Sequence, residues 1–124
     1  MGRTDRQRLG DGAEALARRH LESAGLECVA TNYRCRVGEL DLVMRTAGTL
    51  VIVEVRYRGP GARYSARDSV SPSKQRRIAR AAEQFLCRHP YYGDTALRFD
   101  VVCIDVSADG RPRLQWLADA FRPW

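Results

Sequence analysis

The sequence predicts a single α/β domain in which helices flank a mixed β-sheet, with elements in the order α-β-β-β-α-β-β. Two observations lead to this prediction. Two segments carry apolar residues at helical spacing, and five shorter runs have the pattern of extended strands, of which residues 50–56 are rich in Val and Ile. One of the helices separates two strand-forming segments and can link them within one sheet. We expect an α/β sandwich formed by residues 11–124, preceded by a flexible basic N-terminus of residues 1–10.

The first half of the domain is predicted to contain one helix and three strands. The helix runs from Asp11 to Ala24, where Ala and Leu recur every three to four positions, and Gly25 ends it. The strands cover roughly residues 28–33, 39–45 and 50–56. Only Thr46–Thr49 separate the second strand from the third, which predicts a β-hairpin.

The second half is predicted to contain a long loop, a helix and two strands. Glycines and a proline break the pattern between Tyr57 and Val70, and loops of this length are typically functional or disordered. Ser71 and Pro72 are typical of a helix start, and His89-Pro90 of a helix end. Strands are expected at residues 97–105 and 114–117, with Asp100 in a structural role.

Composition fits an ordinary globular domain with an anionic partner. The chain has 124 residues, of which 44% are hydrophobic and 29% charged, so it can bury a core of its own. The net charge of +6 favours nucleic acid over a membrane surface as partner. Lys74 is the only lysine, and arginine is well suited to bidentate phosphate contacts. A GC-rich genome explains the arginine bias equally well, but not the net charge.

The four cysteines do not form a zinc-binding pattern. They show no C-x-x-C spacing, and neither histidine lies near a cysteine pair. The N-terminus lacks an apolar signal region, and no window reaches the length of a membrane span. We expect a cytoplasmic protein whose cysteines are reduced and mostly buried.

The hairpin is predicted to bring two acidic side chains face to face. If its loop is symmetric about the Ala47–Gly48 bond, cross-strand partners have residue numbers that sum to 95, so Asp41 faces Glu54. The two acids lie on one face of the hairpin, and the opposite face is apolar. A shift of the pairing by one residue would expose these apolar side chains, so the alternation of polar and apolar residues defines the register. That other face carries Leu40, Leu42, Met44, Val51, Val53 and Val55.

Facing carboxylates repel each other unless a cation lies between them. Mg²⁺ takes oxygen ligands and commonly uses one or two carboxylates together with substrate phosphate. Asp41 and Glu54 are therefore predicted to bind a divalent metal. The alternative is a solvated face on which both acids pair with arginines, but Val43 and Ile52 on the same face favour a covered site.

The hairpin motifs resemble those of the PD-(D/E)XK nuclease superfamily, in which an acid on one strand precedes an E-x-K motif on the next. The chain is more closely similar to the YraN-like uncharacterised bacterial family, nearly from end to end. The matching stretches are residues 38–43 (GELDLV), 50–58 (LVIVEVRYR), 71–77 (SPSKQRR), 98–102 (RFDVV) and 119–121 (DAF).

The resemblance implies a restriction-endonuclease-like fold, nearest to archaeal Holliday-junction resolvases. It implies a Mg²⁺- or Mn²⁺-dependent DNA endonuclease that acts on branched or single-stranded DNA. Asp41, Glu54 and the backbone carbonyl of Val55 would be the metal ligands, and Glu14 on the first helix would lie near the site. Gln75 is a site residue by the same resemblance, whereas its helical position fits a core-edge glutamine equally well.

One position departs from the superfamily pattern, because Arg56 stands where the superfamily has lysine. Arginine stays protonated and cannot act as a base, although it can stabilise developing negative charge. In the predicted register Glu39 faces Arg56, so it is either a further candidate catalytic residue or the ion-pair partner of Arg56. Lys74 is a candidate substitute for the missing lysine. The alternative function is a nucleic-acid-binding module with impaired catalysis.

Basic residues are predicted to surround this site and to contact nucleic acid. Some lie at the start of the second helix, where the helix dipole disfavours cations and favours a bound phosphate. Others accompany two tyrosines in the preceding loop, a combination suited to backbone contact and base stacking. A merely solvated surface is the alternative. A homodimer would suit cleavage of two strands, but no interface is evident. The predicted nucleic-acid-binding residues are Arg58, Arg63, Arg67, Lys74, Arg76 and Arg77.

Overall fold

The computed structural model describes residues 5–59, 61 and 64–124, with side chains from residue 12 onward, and Arg63 lies outside the described residues. The elements of this part follow the predicted order. Two short 3-10 helices, Arg67–Ser69 and Pro90–Tyr92, flank α2. The main elements are α1 (Asp5–Ser23), β1 (Glu27–Cys35), β2 (Gly38–Thr46), β3 (Thr49–Arg58), α2 (Pro72–Arg88), β4 (Ala96–Val106) and β5 (Pro112–Leu117).

The five strands form one mixed sheet in the order β1-β2-β3-β4-β5, which confirms the predicted α/β class. Strands β3 and β4 are parallel, and the other neighbouring pairs are antiparallel. A parallel pair needs a long connection, and α2 provides it. This connection places the start of α2 beside the end of β3.

The sheet is buried on both faces, because one helix covers each. On the α1 face, Ala13, Ala17 and Leu21 pack in one cluster with apolar side chains of β2, β3 and β4. On the α2 face, Ile78 and Phe85 belong to a cluster that contains other side chains of the same strands. Each fully buried large apolar side chain contributes about 1.5–3 kcal/mol to folding. The two covered faces hold the hairpin rigidly between the helices.

The hairpin has the predicted register. The pairs from Thr46↔Thr49 to Leu42↔Val53 all sum to 95. Ala47 and Gly48 have φ values of +43° and +78°, as a two-residue turn of the kind that matches strand twist requires. The turn therefore sets the pairing that leads to Asp41 and Glu54.

Three expectations from the sequence need correction. Helix α1 begins at Asp5, before the predicted start at Asp11, and residues 1–4 of the predicted N-terminal segment lie outside the described residues. Leu40 packs in the α2-side cluster, not on the face of Leu42. The alternation is thus interrupted near Asp41, where the facing strand has Asn32 at φ +50°. Of the four free cysteines, only Cys103 is fully buried.

Helix α2 begins as the sequence predicts. Ser71 is the N-cap, its Oγ accepts a hydrogen bond from the backbone N–H of Lys74 (3.2 Å), and Pro72 occupies the first helical position. This cap holds Lys74 in the first turn. Neither helix in the described part of the chain has the length and apolar character needed to cross a bilayer.

Candidate active site

Asp41 and Glu54 come together where the β2–β3 ladder ends. Beyond the last backbone pair, Leu42↔Val53, the Asp41 carboxylate accepts a hydrogen bond from the backbone N–H of Val55 (2.9 Å). The carboxyl groups of Asp41 and Glu54 are close enough for each to shift the pKa of the other. The predicted juxtaposition of the two acids is therefore present in the fold.

Both carboxyl groups are shielded from water, Glu54 more strongly. Only 4% of Glu54 is exposed, whereas Asp41 is half-buried. Burial first and the Asp41 carboxylate second raise the pKa of Glu54 from an ordinary 4.5 to about 8, against an opposing effect of Lys74. Burial also raises the pKa of Asp41, although the Val55 N–H counteracts it. The pair therefore resists carrying two negative charges.

Lys74 brings a positive charge to this pair from α2. Its Nζ lies 3.0 Å from Oε1 of Glu54, and its side chain is 33% exposed. The cap at Ser71 and the packing of α2 on the sheet hold this first turn in place. The sequence suggested Lys74 as a substitute for the missing lysine, and the fold places its amine beside Glu54.

Arg56 also faces the acids but is incompletely bonded. Its Nη1 lies 4.0 Å from Oε1 of Glu54, the limit of an ion pair. Its Nε is the one buried side-chain nitrogen or oxygen without a hydrogen-bond partner among the residues that the structure describes. The alternative pairing of Arg56 with Glu39 is wrong, because Glu39 pairs with Arg34 across β1 and β2 at 3.7 Å. Buried hydrogen-bond donors normally have an acceptor, so the Nε–H of Arg56 could donate a hydrogen bond to a ligand.

Two further candidates are less closely tied to the pair. The side-chain amide of Gln75 donates to the carbonyl oxygen of Val70 (3.0 Å) and so secures the segment that enters α2. Glu14 is half-buried on α1. In the described part of the chain, no three His, Cys, Asp or Glu side chains form a metal-binding group, so Glu14 does not complete one with Asp41 and Glu54.

Arg58 does not have the free, loop-like position that the sequence suggested. It is the last residue of β3, is 8% exposed, and binds Asp105 through two hydrogen bonds of 2.6 and 2.8 Å. It also donates to the carbonyl oxygen of Tyr64, whose ring lies 5.4 Å from the guanidinium carbon. These contacts fasten the loop to the sheet and leave Arg58 no free face for phosphate.

Three of the other predicted basic residues, Arg67, Arg76 and Arg77, are accessible. Arg67 is exposed, with one guanidinium nitrogen donating to the carbonyl oxygen of Ala120 (3.1 Å), while Arg76 and Arg77 are exposed on α2. The sequence reading missed Arg80 and Arg88, which are exposed on the same helix. Their spacing of four and twelve residues from Arg76 was the available signal.

The donor set fits a divalent cation. Asp41 and Glu54 offer hard oxygen ligands from adjacent strands, and a cation would relieve the repulsion that raises the pKa of Glu54. The ammonium of Lys74 already compensates part of the negative charge of the pair. The arrangement can therefore hold a metal, and its two cationic side chains can face an anionic substrate.

Sequence comparison places the chain among related bacterial proteins. A UPF0102 protein of Pseudomonas putida strain GB-1 is 48% identical over 115 residues, 92% of this chain and 93% of the relative. One from Ralstonia nicotianae is 50% identical over 117 residues, 90% and 85% of the two chains. One from Xylella fastidiosa strain M12 is 47% identical over 119 residues, 95% of each chain. Residues 13–104 match the model of the "Uncharacterised protein family UPF0102", and the chain belongs to that family.

Proposed function

We propose that this protein is a metal-dependent DNA endonuclease that hydrolyses phosphodiester bonds at the Asp41–Glu54 pair. The observation that carries the proposal is the incomplete charge balance there. Two shielded carboxyl groups face each other, and the Lys74 ammonium lies 3.0 Å from Glu54. Among the described residues, the Nε of Arg56 has no hydrogen-bond partner. Such an arrangement destabilises the fold, and strongly perturbed acids of this kind cluster at functional sites.

Asp41 and Glu54 would hold the metal, with the Val55 carbonyl as a third ligand by resemblance. When bound, Mg²⁺ or Mn²⁺ lowers the pKa of a coordinated water and neutralises charge on the phosphate. Lys74 is placed to donate a hydrogen bond to the attacking water or to a phosphate oxygen. Arg56 can direct its free Nε–H to a phosphate oxygen and stabilise the charge that develops in the transition state.

The choice of DNA as substrate rests on charge and on motif. The net charge of +6 and the exposed Arg67, Arg76 and Arg77 favour a polyanion. The acid on β2 followed by Glu54-Val55-Arg56 on β3 supports a place in the PD-(D/E)XK superfamily, whose members cleave nucleic acid. The similarity to resolvases favours branched or single-stranded DNA.

The test is cleavage of labelled four-way junctions, flaps, single strands and linear duplex with Mg²⁺ or Mn²⁺. Asp41→Asn is the matched control, because it keeps size and the hydrogen bond from Val55 while removing one ligand charge. We expect cleavage by the wild-type protein and a loss of at least about 100-fold in the variant. Equal activity in the two proteins would identify a contaminating nuclease and overturn the proposal.

A second candidate is a DNA-binding module that has lost turnover. Two observations favour it. Arginine occupies position 56, and among the described residues no third His, Cys, Asp or Glu side chain joins Asp41 and Glu54 to form a metal-binding group. It predicts DNA affinity that falls steeply with salt, without cleavage under either metal. Binding in EDTA and cleavage with metal, measured on the same substrates, separate the two candidates.

A further inference from the structure

The outward face of α2 is strongly basic. The helix carries five basic side chains and one acidic side chain, Glu83. Four arginines are exposed, and at 3.6 residues per turn they fall within about a third of the helix circumference. The core-facing side chains Ile78 and Phe85 occupy the other side. We call this surface, formed by Arg76, Arg77, Arg80 and Arg88, the α2 ridge.

The α2 ridge differs from the rest of the molecule in its charge balance. None of its four arginines has a carboxylate within 4.0 Å in the described part of the chain, and Glu83 forms no ion pair there. Elsewhere arginines are commonly paired, and the ridge therefore presents charge that an anionic partner can neutralise. The paired arginines are Arg18, Arg34, Arg45, Arg56, Arg58, Arg98, Arg111 and Arg122.

The α2 ridge starts at the candidate active site and is extended by the β1–β2 turn. Lys74, two residues before the first arginine of the ridge, lies 3.0 Å from Glu54. The turn packs against the same helix, because a Cβ added at Gly38 would lie only 3.2 Å from the carbonyl oxygen of Arg77. Arg36 in that turn is exposed and also has no ion-pair partner among the described residues. One positive surface thus leads away from the site.

We propose that the α2 ridge, with Arg36, binds the phosphate backbone of the DNA that extends from the scissile phosphate. This inference rests on the proposed function. From Lys74 to Arg88 the helix rises about 21 Å, the length of about six base pairs of duplex. Exposed arginines contact phosphates without reading bases, so the ridge binds regardless of sequence.

A nucleic acid fits this surface better than an acidic protein or a membrane. Arginine presents a planar fork that matches phosphate oxygens, and the charges follow one line that begins at the acids and cations of the site. The exposed side of the helix offers no large apolar side chain to insert into a bilayer, since Leu86 and Phe85 belong to the packed side.

The experiment compares two double variants with equal net charge. Arg80→Ala/Arg88→Ala removes two ridge charges. Arg19→Ala/Arg113→Ala removes two exposed arginines from α1 and β5 that have no carboxylate partner among the described residues. Both lower the formal charge from +6 to +4. Affinity for labelled duplex DNA is measured in EDTA from 50 to 200 mM salt, so metal and cleavage play no part.

We expect the ridge variant to lower the slope of log affinity against log salt by about 1.8, since each phosphate contact contributes about 0.9. At low salt its affinity falls, while the control stays close to the wild type. Equal slopes in the two variants overturn the inference, as does wild-type binding to phosphatidylserine vesicles but not to DNA. A reduced slope in the ridge variant, without cleavage by the wild type, supports DNA binding by the ridge and overturns the proposed endonuclease activity. Cleavage by the wild type, with equal slopes in the two variants, supports the activity and overturns the role of the ridge.

Discussion

Two acidic sites in adjacent strands differ in how completely their charge is balanced. Asp100 in β4 is 0% exposed, yet both of its oxygens are fully used. Arg98 donates two hydrogen bonds of 2.9 Å, and the indole of Trp116 and the backbone N–H of Asp119 each donate one of 2.9 Å. This carboxylate fastens β5 and the C-terminal segment to the sheet, as the sequence suggested when it assigned Asp100 a structural role.

Glu54 in β3 is almost as deeply buried, and its neighbour Val53 pairs with Asp100. Among the described residues, its charged neighbours are one ammonium at 3.0 Å, one guanidinium at 4.0 Å and a second carboxyl group, Asp41. A buried charge with few partners costs stability, whereas one with many is tolerated. The comparison agrees with a structural role for Asp100 and with the ligand-binding role that we propose for Asp41 and Glu54.

The largest expected effect comes from the same substitution at both sites. Asp100→Asn should lower the free energy of unfolding by about 3–5 kcal/mol, because an amide presents its own N–H groups to donors that need an acceptor. Asp41→Asn should change stability by no more than about 1 kcal/mol, since its oxygen still accepts from Val55 and its amide can donate to Glu54. Urea titration gives both values, and equal losses would contradict the comparison.

The second effect concerns pH. Glu54 keeps its proton up to about pH 8 in the folded chain and releases it near 4.5 when unfolded. Between these values the folded state binds more protons, so stability falls as pH rises from about 5 to 8, by about 1–3 kcal/mol. Unfolding of the metal-free protein at several pH values measures this slope. Glu54→Gln should flatten it, and an unchanged slope in the variant would assign the effect to other groups.

The fold was predictable because its signals are local. The two-residue turn at Ala47–Gly48 sets the register. Ser71 and Pro72 mark the start of α2 through contacts with residues no more than three positions away. That register leads the strands toward Asp41 and Glu54, whose carboxyl groups meet just beyond its last backbone pair. Leu40 was misplaced because the break in strand alternation depends on the neighbouring strand, where Asn32 adopts φ +50°.

The rest of the site depends on distant contacts. Arg58 looked available for phosphate because its partner Asp105 lies 47 residues further along the chain. The position of Lys74 was equally hidden, since 20 residues separate it from Glu54 and only the packing of α2 closes that distance. Charge type and spacing can be read from a sequence, whereas the pairing of charges requires the tertiary fold.

A smaller effect is expected at Lys74. Its ammonium compensates the negative charge of Glu54, which a bound metal would also compensate. Above about pH 8, where Glu54 is ionised in the folded chain, Lys74→Met should destabilise the metal-free protein by about 1–2 kcal/mol, because the Glu54 carboxylate loses its closest cation. Added Mn²⁺ should then raise the melting temperature more in the variant than in the wild type, since no ammonium competes for Glu54. Arg80→Met, a charge loss on the same helix away from the acids, should match the wild type. A smaller metal-induced shift in Lys74→Met would show that Lys74 assists metal binding.

The smallest effect on stability is expected from Arg56→Lys, because the Arg56 guanidinium makes only weak contacts. The Nε of Arg56 has no partner in the described structure and its Nη1 is 4.0 Å from Glu54, so Arg56→Lys removes no strong hydrogen bond. Unfolding free energy should change by less than about 0.5 kcal/mol. If the proposed function holds, Arg56→Lys should increase cleavage, because it supplies the lysine that the resemblance implies at this position. A stability loss above 2 kcal/mol would instead make Arg56 a structural residue like Arg98.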